Sequence, residues 1–201
     1  MIPVTDHSAL IVVDLQNDFC PGGSLPVPQG NDVVPVIQAL IGAFSAGGQP
    51  IALTRDHHPA DHISFQSRGG PWPPHCVVGT HGFDYHPDLV VPSRAAHFIK
   101  GFTRDRDAYS GFEGIRIGPG GEMIGETLAD YLHHHGVETV YLTGLATDYC
   151  VRATALDALR EGFTTWVVVD AIRGVDVKSG DSQRALLELA EKGAGLIESA
   201  R

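Results

Sequence analysis

Basic residues are the minority in this chain: Lys and Arg number 14 against 24 Asp and Glu, a formal charge of −10 at pH 7. That balance argues against a nucleic-acid backbone or an anionic membrane as partner. Aromatic residues make up only 7% and are scattered, so there is no stacking platform for single-stranded nucleic acid. No apolar run approaches the roughly 20 residues needed to span a bilayer. Met1 to His7 shows no basic segment followed by an apolar core, so no secretion signal is expected. The cysteines are three, Cys20, Cys76 and Cys150, odd in number and far apart. Such spacing makes a poor disulfide framework, and a reducing cytoplasm is the expected setting.

What is present reads as an ordinary globular protein. With 43% hydrophobic and 19% charged residues, 201 residues suit a single domain spanning 1–201. The pattern is compatible with a monomer or a homo-oligomer, and the expected partner is a small molecule.

Apolar runs of strand length alternate with segments of helical period. Strands are expected at Ala9–Asp14, Pro50–Thr54, Ala95–Lys100, Glu138–Leu145, Phe163–Asp170 and Gly195–Glu198. Helices are expected at Val33–Ala46, Met123–His135, Thr147–Arg160 with Thr147 as cap, and Ser182–Lys192. Strands without an alternating polar face need cover on both sides. The expectation is therefore an α/β protein, a three-layer α/β/α sandwich around a mostly parallel, Rossmann-like sheet.

Two irregular stretches, 55–94 and 101–121, are too long to be idle connections. Ligands of open parallel sheets bind at the carboxyl ends of the strands. Asp14, Lys100 and Cys150 all fall there, after the first, third and fourth strands. Cys150 follows an apolar run at a helix start, where dipole and free N–H groups favour a thiolate and can hold an oxyanion. A lone thiol is more commonly a buried structural residue. Asp14 can serve as a base for the thiol proton or cap a loop, and Lys100 can steady a thiolate or simply end a strand. Only their combination points to nucleophilic catalysis.

A second constellation is Arg55-Asp56-His57-His58-Pro59-Ala60-Asp61-His62, followed by Trp72-Pro73-Pro74-His75-Cys76. In an extended segment, residues two apart face the same way, so Asp56 and His58 can share an ion while His57 points elsewhere. His75 can return as a third ligand. One carboxylate and two imidazoles suit a divalent metal, Zn²⁺ first, with Fe²⁺ and Mn²⁺ compatible. His133-His134-His135 reads as a solvated helix end, and Gly118-Pro119-Gly120-Gly121 as a turn without the lysine of a phosphate loop.

Taken together, DLQNDFCPGGSL (14–25), RDHHPADHISF (55–65), WPPHCVVGT (72–80), IKGF (99–102), AYSGFEG (108–114) and TGLATDYCVRATALDA (143–158) resemble the nicotinamidase/pyrazinamidase branch of the isochorismatase-like cysteine hydrolases. The resemblance covers nearly the whole chain. It implies a six-stranded parallel sheet flanked by helices, and deamidation of a small carboxamide, nicotinamide or pyrazinamide, in pyridine-nucleotide salvage. It implies a triad of Asp14, Lys100 and Cys150, and the metal ligands Asp56, His58 and His75. It also implies an oxyanion hole at the N–H groups of Ala146 and Cys150, with a cis Leu145–Ala146 peptide. Phe19, Trp72 and Tyr109 match positions that wall the family's aromatic pocket. His62 lies four residues after His58, where the family's fourth metal-binding histidine, when present, lies six residues on. Tyr149 stands where some relatives have histidine. Other amidohydrolases of the superfamily, acting on N-carbamoyl or ureido compounds, and a non-catalytic binding scaffold are the rival readings.

Overall fold

The computed structural model describes residues 2–199; Met1, Ala200 and Arg201 lie outside the described residues. Its centre is β1 (Ser8–Val13), whose six residues are all buried, as a run of SALIVV must be when both faces are covered. On one side β1 pairs in parallel with β2 (Ile51–Asp56), and β2 with β3 (Ala96–Lys100), placing Asp56 opposite Lys100. On the other side β1 pairs with β6 (Thr139–Leu145), then come β7 (Thr164–Arg173) and β8 (Gly195–Ile197), all parallel. The chain therefore leaves β1 first toward one edge and later toward the other. The crevice between the ends of β1 and β6 is the switch point where such sheets bind ligands.

Among the described residues the sheet has eight strands, not the six expected. The two additional strands are β4 (Ile115–Ile117) and β5 (Met123–Thr127), an antiparallel pair on the outer edge of β3. Part of the 101–121 stretch is thus ordered as sheet. Met123–Thr127 was expected to be helical; here the helix α2 runs only over Leu128–His134. A reciprocal cap explains the boundary: Thr127 Oγ1 accepts from the Asp130 N–H, and the Asp130 carboxylate accepts from the Thr127 N–H.

Helix α1 (Val33–Gly47) buries Val33, Ile37, Leu40, Ile41 and Phe44 on one face of the sheet, against Leu10, Val12 and Leu53. Helices α2, α3 (Arg152–Arg160) and α4 (Asp181–Glu191) cover the other, against Ala9, Ile11 and Val13. Alternate residues of β1 therefore feed two separate cores. Thr147 does not cap α3 as expected. A π turn over Thr147–Val151 intervenes, entered from Ala146, whose carbonyl accepts from the N–H groups of Tyr149 and Val151. Among the described residues, no helix is long and apolar enough to cross a membrane.

Candidate active site

Three strand ends deliver the three expected residues to one point. Asp14 follows β1 in a left-handed conformation (φ 45°), Lys100 closes β3, and Cys150 sits in the π turn after β6. Lys100 Nζ lies 2.9 Å from Asp14 Oδ2, 3.4 Å from Cys150 Sγ and 2.5 Å from Asp56 Oδ1. Lys100 and Asp14 are wholly buried. A buried ammonium is tolerable only when paired, and this one has two carboxylates. Burial pushes the Lys100 ammonium toward losing its proton, but Asp14 and Asp56 outweigh it and hold the group charged well above its usual range.

The same balance decides the other two groups. Burial raises the Asp14 carboxyl above its ordinary value, and the like charge of Asp56 adds to this against the pull of Lys100. Thr54 Oγ1 donates to Asp14 Oδ1 at 2.7 Å, while Oδ2 makes no aligned hydrogen bond. Burial also holds the Cys150 thiol well above its ordinary value; Lys100 opposes this, and Asp14 and Asp56 reinforce it. Burial, reinforced by Asp14 and Asp56, thus works against the thiolate preference of the helix start and favours the thiol, beside a carboxyl whose proton affinity burial also raises.

Asp56 also belongs to the second constellation. Burial pushes its carboxyl up, yet Lys100, His58 and His75 outweigh burial and hold it below the usual range. While Oδ1 meets Lys100, Oδ2 faces His58 Nε2 at 3.5 Å and His75 Nε2 at 3.9 Å. The ligating atoms of Asp56, His58 and His75 lie within 4.8 Å of one another, all buried. His58 Nδ1 bonds the Gly101 carbonyl at 2.9 Å, and His75 Nδ1 the Pro73 carbonyl at 2.8 Å. A carbonyl only accepts, so each Nδ1 carries a proton, and each Nε2 is the nitrogen aimed at the same spot, able to ligate when unprotonated. That is how metal-ligating imidazoles are oriented. The donor set of one carboxylate and two neutral imidazoles fits a Zn²⁺-like ion with positions left open.

His57 turns away, packing edge-on against Phe83, as the alternation requires. His62 stacks on the His58 ring, with centroids 4.0 Å apart. Its Nδ1 is taken by Ser64 Oγ at 2.8 Å and its Nε2 by the Arg106 carbonyl at 3.0 Å, so it braces His58 and has no nitrogen left for an ion. Asp14, Asp56 and Cys150 also approach within ligand distance of one another, but Lys100 Nζ fills the space between them.

Above these groups is a small, largely apolar pocket with Cys150, Asp56 and His75 in its lining. Phe19, Trp72 and Tyr109 line it, and Trp72 Nε1–H donates to Tyr109 Oη at 3.1 Å. Ala146 lines it as well, and the Leu145–Ala146 peptide is cis. Sequence reasoning assigned no wall role to Leu25, Tyr149 or Val175. Leu25 closes the first matched segment and Tyr149 adjoins the nucleophile, which are usable signals. Val175 arrives from beyond β7 and had none.

Residues 8–201 match the isochorismatase domain family. The chain is 39% identical to the nicotinamidase of Escherichia coli K12, over 94% of this chain and 93% of the relative. The crystal structure of the Pyrococcus horikoshii pyrazinamidase in complex with zinc is 44% identical, with TM-score 0.86 over 96% of this chain and 99% of that one. The structure of PnC1 from L. infantum in complex with nicotinate is 36% identical, with TM-score 0.85 over 99% and 96%.

Proposed function

The chain belongs to the isochorismatase domain family, and we infer that within it this protein is a nicotinamidase that hydrolyses nicotinamide, and pyrazinamide as well, to the acid and ammonia. One observation carries the reading: Lys100 Nζ touches Cys150, Asp14 and Asp56 in a buried pocket, joining a nucleophile, a base and a metal-ligand cluster. The similarity to the nicotinamidase and pyrazinamidase above supports it over almost the full length. The intact Asp56–His58–His75 cluster weighs against an N-carbamoyl or ureido substrate.

Asp14 Oδ2, free of any aligned hydrogen bond, takes the Cys150 thiol proton as Sγ attacks the carboxamide carbon. The negative oxygen is held by the backbone N–H groups of Ala146 and Cys150. Asp14 returns the proton to the amide nitrogen, the C–N bond breaks and ammonia leaves a thioester on Cys150. Asp14 then takes a proton from water as the water oxygen attacks the thioester carbon. The C–S bond breaks, Sγ recovers the proton from Asp14, and the acid is released. Lys100 stays charged throughout and balances whichever of Asp14 and Cys150 carries the negative charge.

Asp56, His58 and His75 would hold one divalent ion, Zn²⁺ by donor set. That ion would supply Lewis acidity toward a ring nitrogen of the substrate and positive charge beside two carboxylates opposed by a single ammonium. Phe19, Trp72 and Tyr109, with Leu25, Tyr149 and Val175, wall the aromatic ring. One hydrolase domain carries all of this, and the three free cysteines suit a cytoplasmic setting.

The test is ammonia release from nicotinamide by the wild type and by Cys150→Ala. The wild type turns over, and the variant loses at least about 10³-fold in kcat/KM because no thioester can form. Turnover by Cys150→Ala close to wild type would remove the nucleophile assignment.

A further inference from the structure

The antiparallel edge of the sheet carries a feature the hydrolytic site does not use. Helix α1 packs against β1, β2, β6 and β7. Beyond it, over β3 and β4, the same face opens into a cavity of about 800 Å³. Arg55 of β2, His97 of β3 and Ile117 of β4 line it from the sheet. The register places Leu53 beside His97 and His97 beside Ile117, and Arg55 shares the Leu53 face, opposite to Asp56.

Arg55 is the unusual member. Its guanidinium lies over the rings of Phe83 at 4.2 Å and Tyr85 at 5.2 Å. Its Nε is buried without a hydrogen-bond partner, and among the described residues no carboxylate pairs with it. Acids outnumber bases 24 to 14 in this chain, so an arginine left without one is not for want of carboxylates. A buried N–H left without an acceptor is costly unless one arrives.

The surroundings are cationic too. Arg94, on the wall, is anchored by the α1 carbonyls of Phe44 and Ser45 at 3.0 and 2.9 Å. Arg116 is matched by Glu126 at 2.6 Å, and Glu122 stands on the rim with the 118–121 turn. His97 Nδ1 sits 3.3 Å from Tyr85 Oη. Burial depresses the His97 imidazole below its usual value, and the charges of Arg55 and Arg116 add to this.

We propose that this cavity is a second ligand site, taking an oxyanion carried by a phosphate-bearing small molecule, with Arg55 as its anchor. The planar guanidinium of Arg55, close to two aromatic rings, carries donors of the kind a phosphate accepts bidentately. The volume falls in the range of small-molecule sites and exceeds what an inorganic ion needs.

Calorimetric titration of the full-length protein with inorganic phosphate and with ribose 5-phosphate, in a phosphate-free buffer, tests this. Saturable binding below about 10 mM is expected, weakened at least about tenfold in Arg55→Met. Tighter binding of ribose 5-phosphate than of inorganic phosphate is expected, and equal binding would mark the inorganic ion and overturn the organic-phosphate ligand. The His97 imidazole, followed by NMR, titrates at higher pH with the ligand bound, because the anion favours the imidazolium. No saturable binding, an Arg55→Met affinity equal to wild type, or an unmoved His97 titration overturns the proposal. So does displacement of the anion by nicotinate, which would place it in the hydrolytic pocket. Should Arg55→Met fail to fold, the His97 shift in the wild type decides the matter.

Discussion

Lys100 Nζ and Asp56 Oδ1 stand 2.5 Å apart at matched positions on neighbouring strands, and through that contact the nucleophile's charge cluster and the metal-ligand cluster share a carboxylate. Lys100 →Met is therefore expected to damage both. Without the ammonium, the buried Asp14 carboxylate faces Asp56 with no positive partner of its own, at a cost of about 3–5 kcal/mol in stability. Calorimetric unfolding and ammonia release read the two effects. A variant with wild-type stability and normal kcat/KM would contradict the shared-charge account.

Gln16 holds Asp56 from behind. Its Oε1 accepts from the Asp56 N–H at 2.8 Å, and its Nε2 donates to the Asp56 carbonyl at 2.9 Å and the Phe83 carbonyl at 2.9 Å. Gln16→Leu removes this clamp without touching a ligating atom. Zinc affinity, measured by competition with a chelator, is expected to fall about 10–100-fold. Gln16→Glu, which keeps the acceptor for the Asp56 N–H, lies between. Unchanged zinc affinity in both would show that the strand alone positions Asp56.

Acid inactivation is expected to follow Asp14. Its ionised form is the base, and burial raises its proton affinity, so kcat/KM declines as pH falls through that raised value. The Thr54 hydrogen bond favours the ionised form and pulls the value down. Thr54→Val removes that support, which raises the Asp14 value further and moves the acid limb to higher pH. The plateau rate should stay within about tenfold of wild type, as for loss of one hydrogen bond. A pH profile that overlays the wild type would exclude Asp14 as the titrating base.

Much of this was legible before any coordinates. Strand β1 reads directly from ALIVV because a strand covered on both faces has no polar alternation to blur it. Asp14, Lys100 and Cys150 could be brought together because strand order carries the ends of β1, β3 and β6 to one edge. Asp56 and His58 could be paired because extended backbone repeats every two residues. What escaped depended on contacts between distant segments. The Met123–Thr127 strand exists because β4 offers it an edge, although Thr127 and Asp130 already spelled a helix start. Burial, the largest influence on the Cys150 thiol, and the charges of Lys100, Asp14 and Asp56 come from tertiary packing, which the local helix argument does not see. Val175 joins the pocket by tertiary approach alone.

Gly101 provides a sharper test of how the His58 ring is aimed. It follows Lys100 with φ 62°, a left-handed conformation, and its carbonyl accepts the His58 Nδ1–H. A Cβ there would lie 2.7 Å from Nδ1 of His58 and nearer still to Cε1. Gly101→Ala thus combines backbone strain of about 1–3 kcal/mol with a collision that must turn the ring. Gly69 separates the two effects: its φ is 83°, also left-handed, and a Cβ there meets nothing within 4 Å. Both alanine variants are expected to melt earlier, but only Gly101→Ala should lose zinc affinity, and with it nicotinamide turnover. If the two variants lost zinc equally, the loss would come from general loosening, and the Gly101 carbonyl would not be what aims His58.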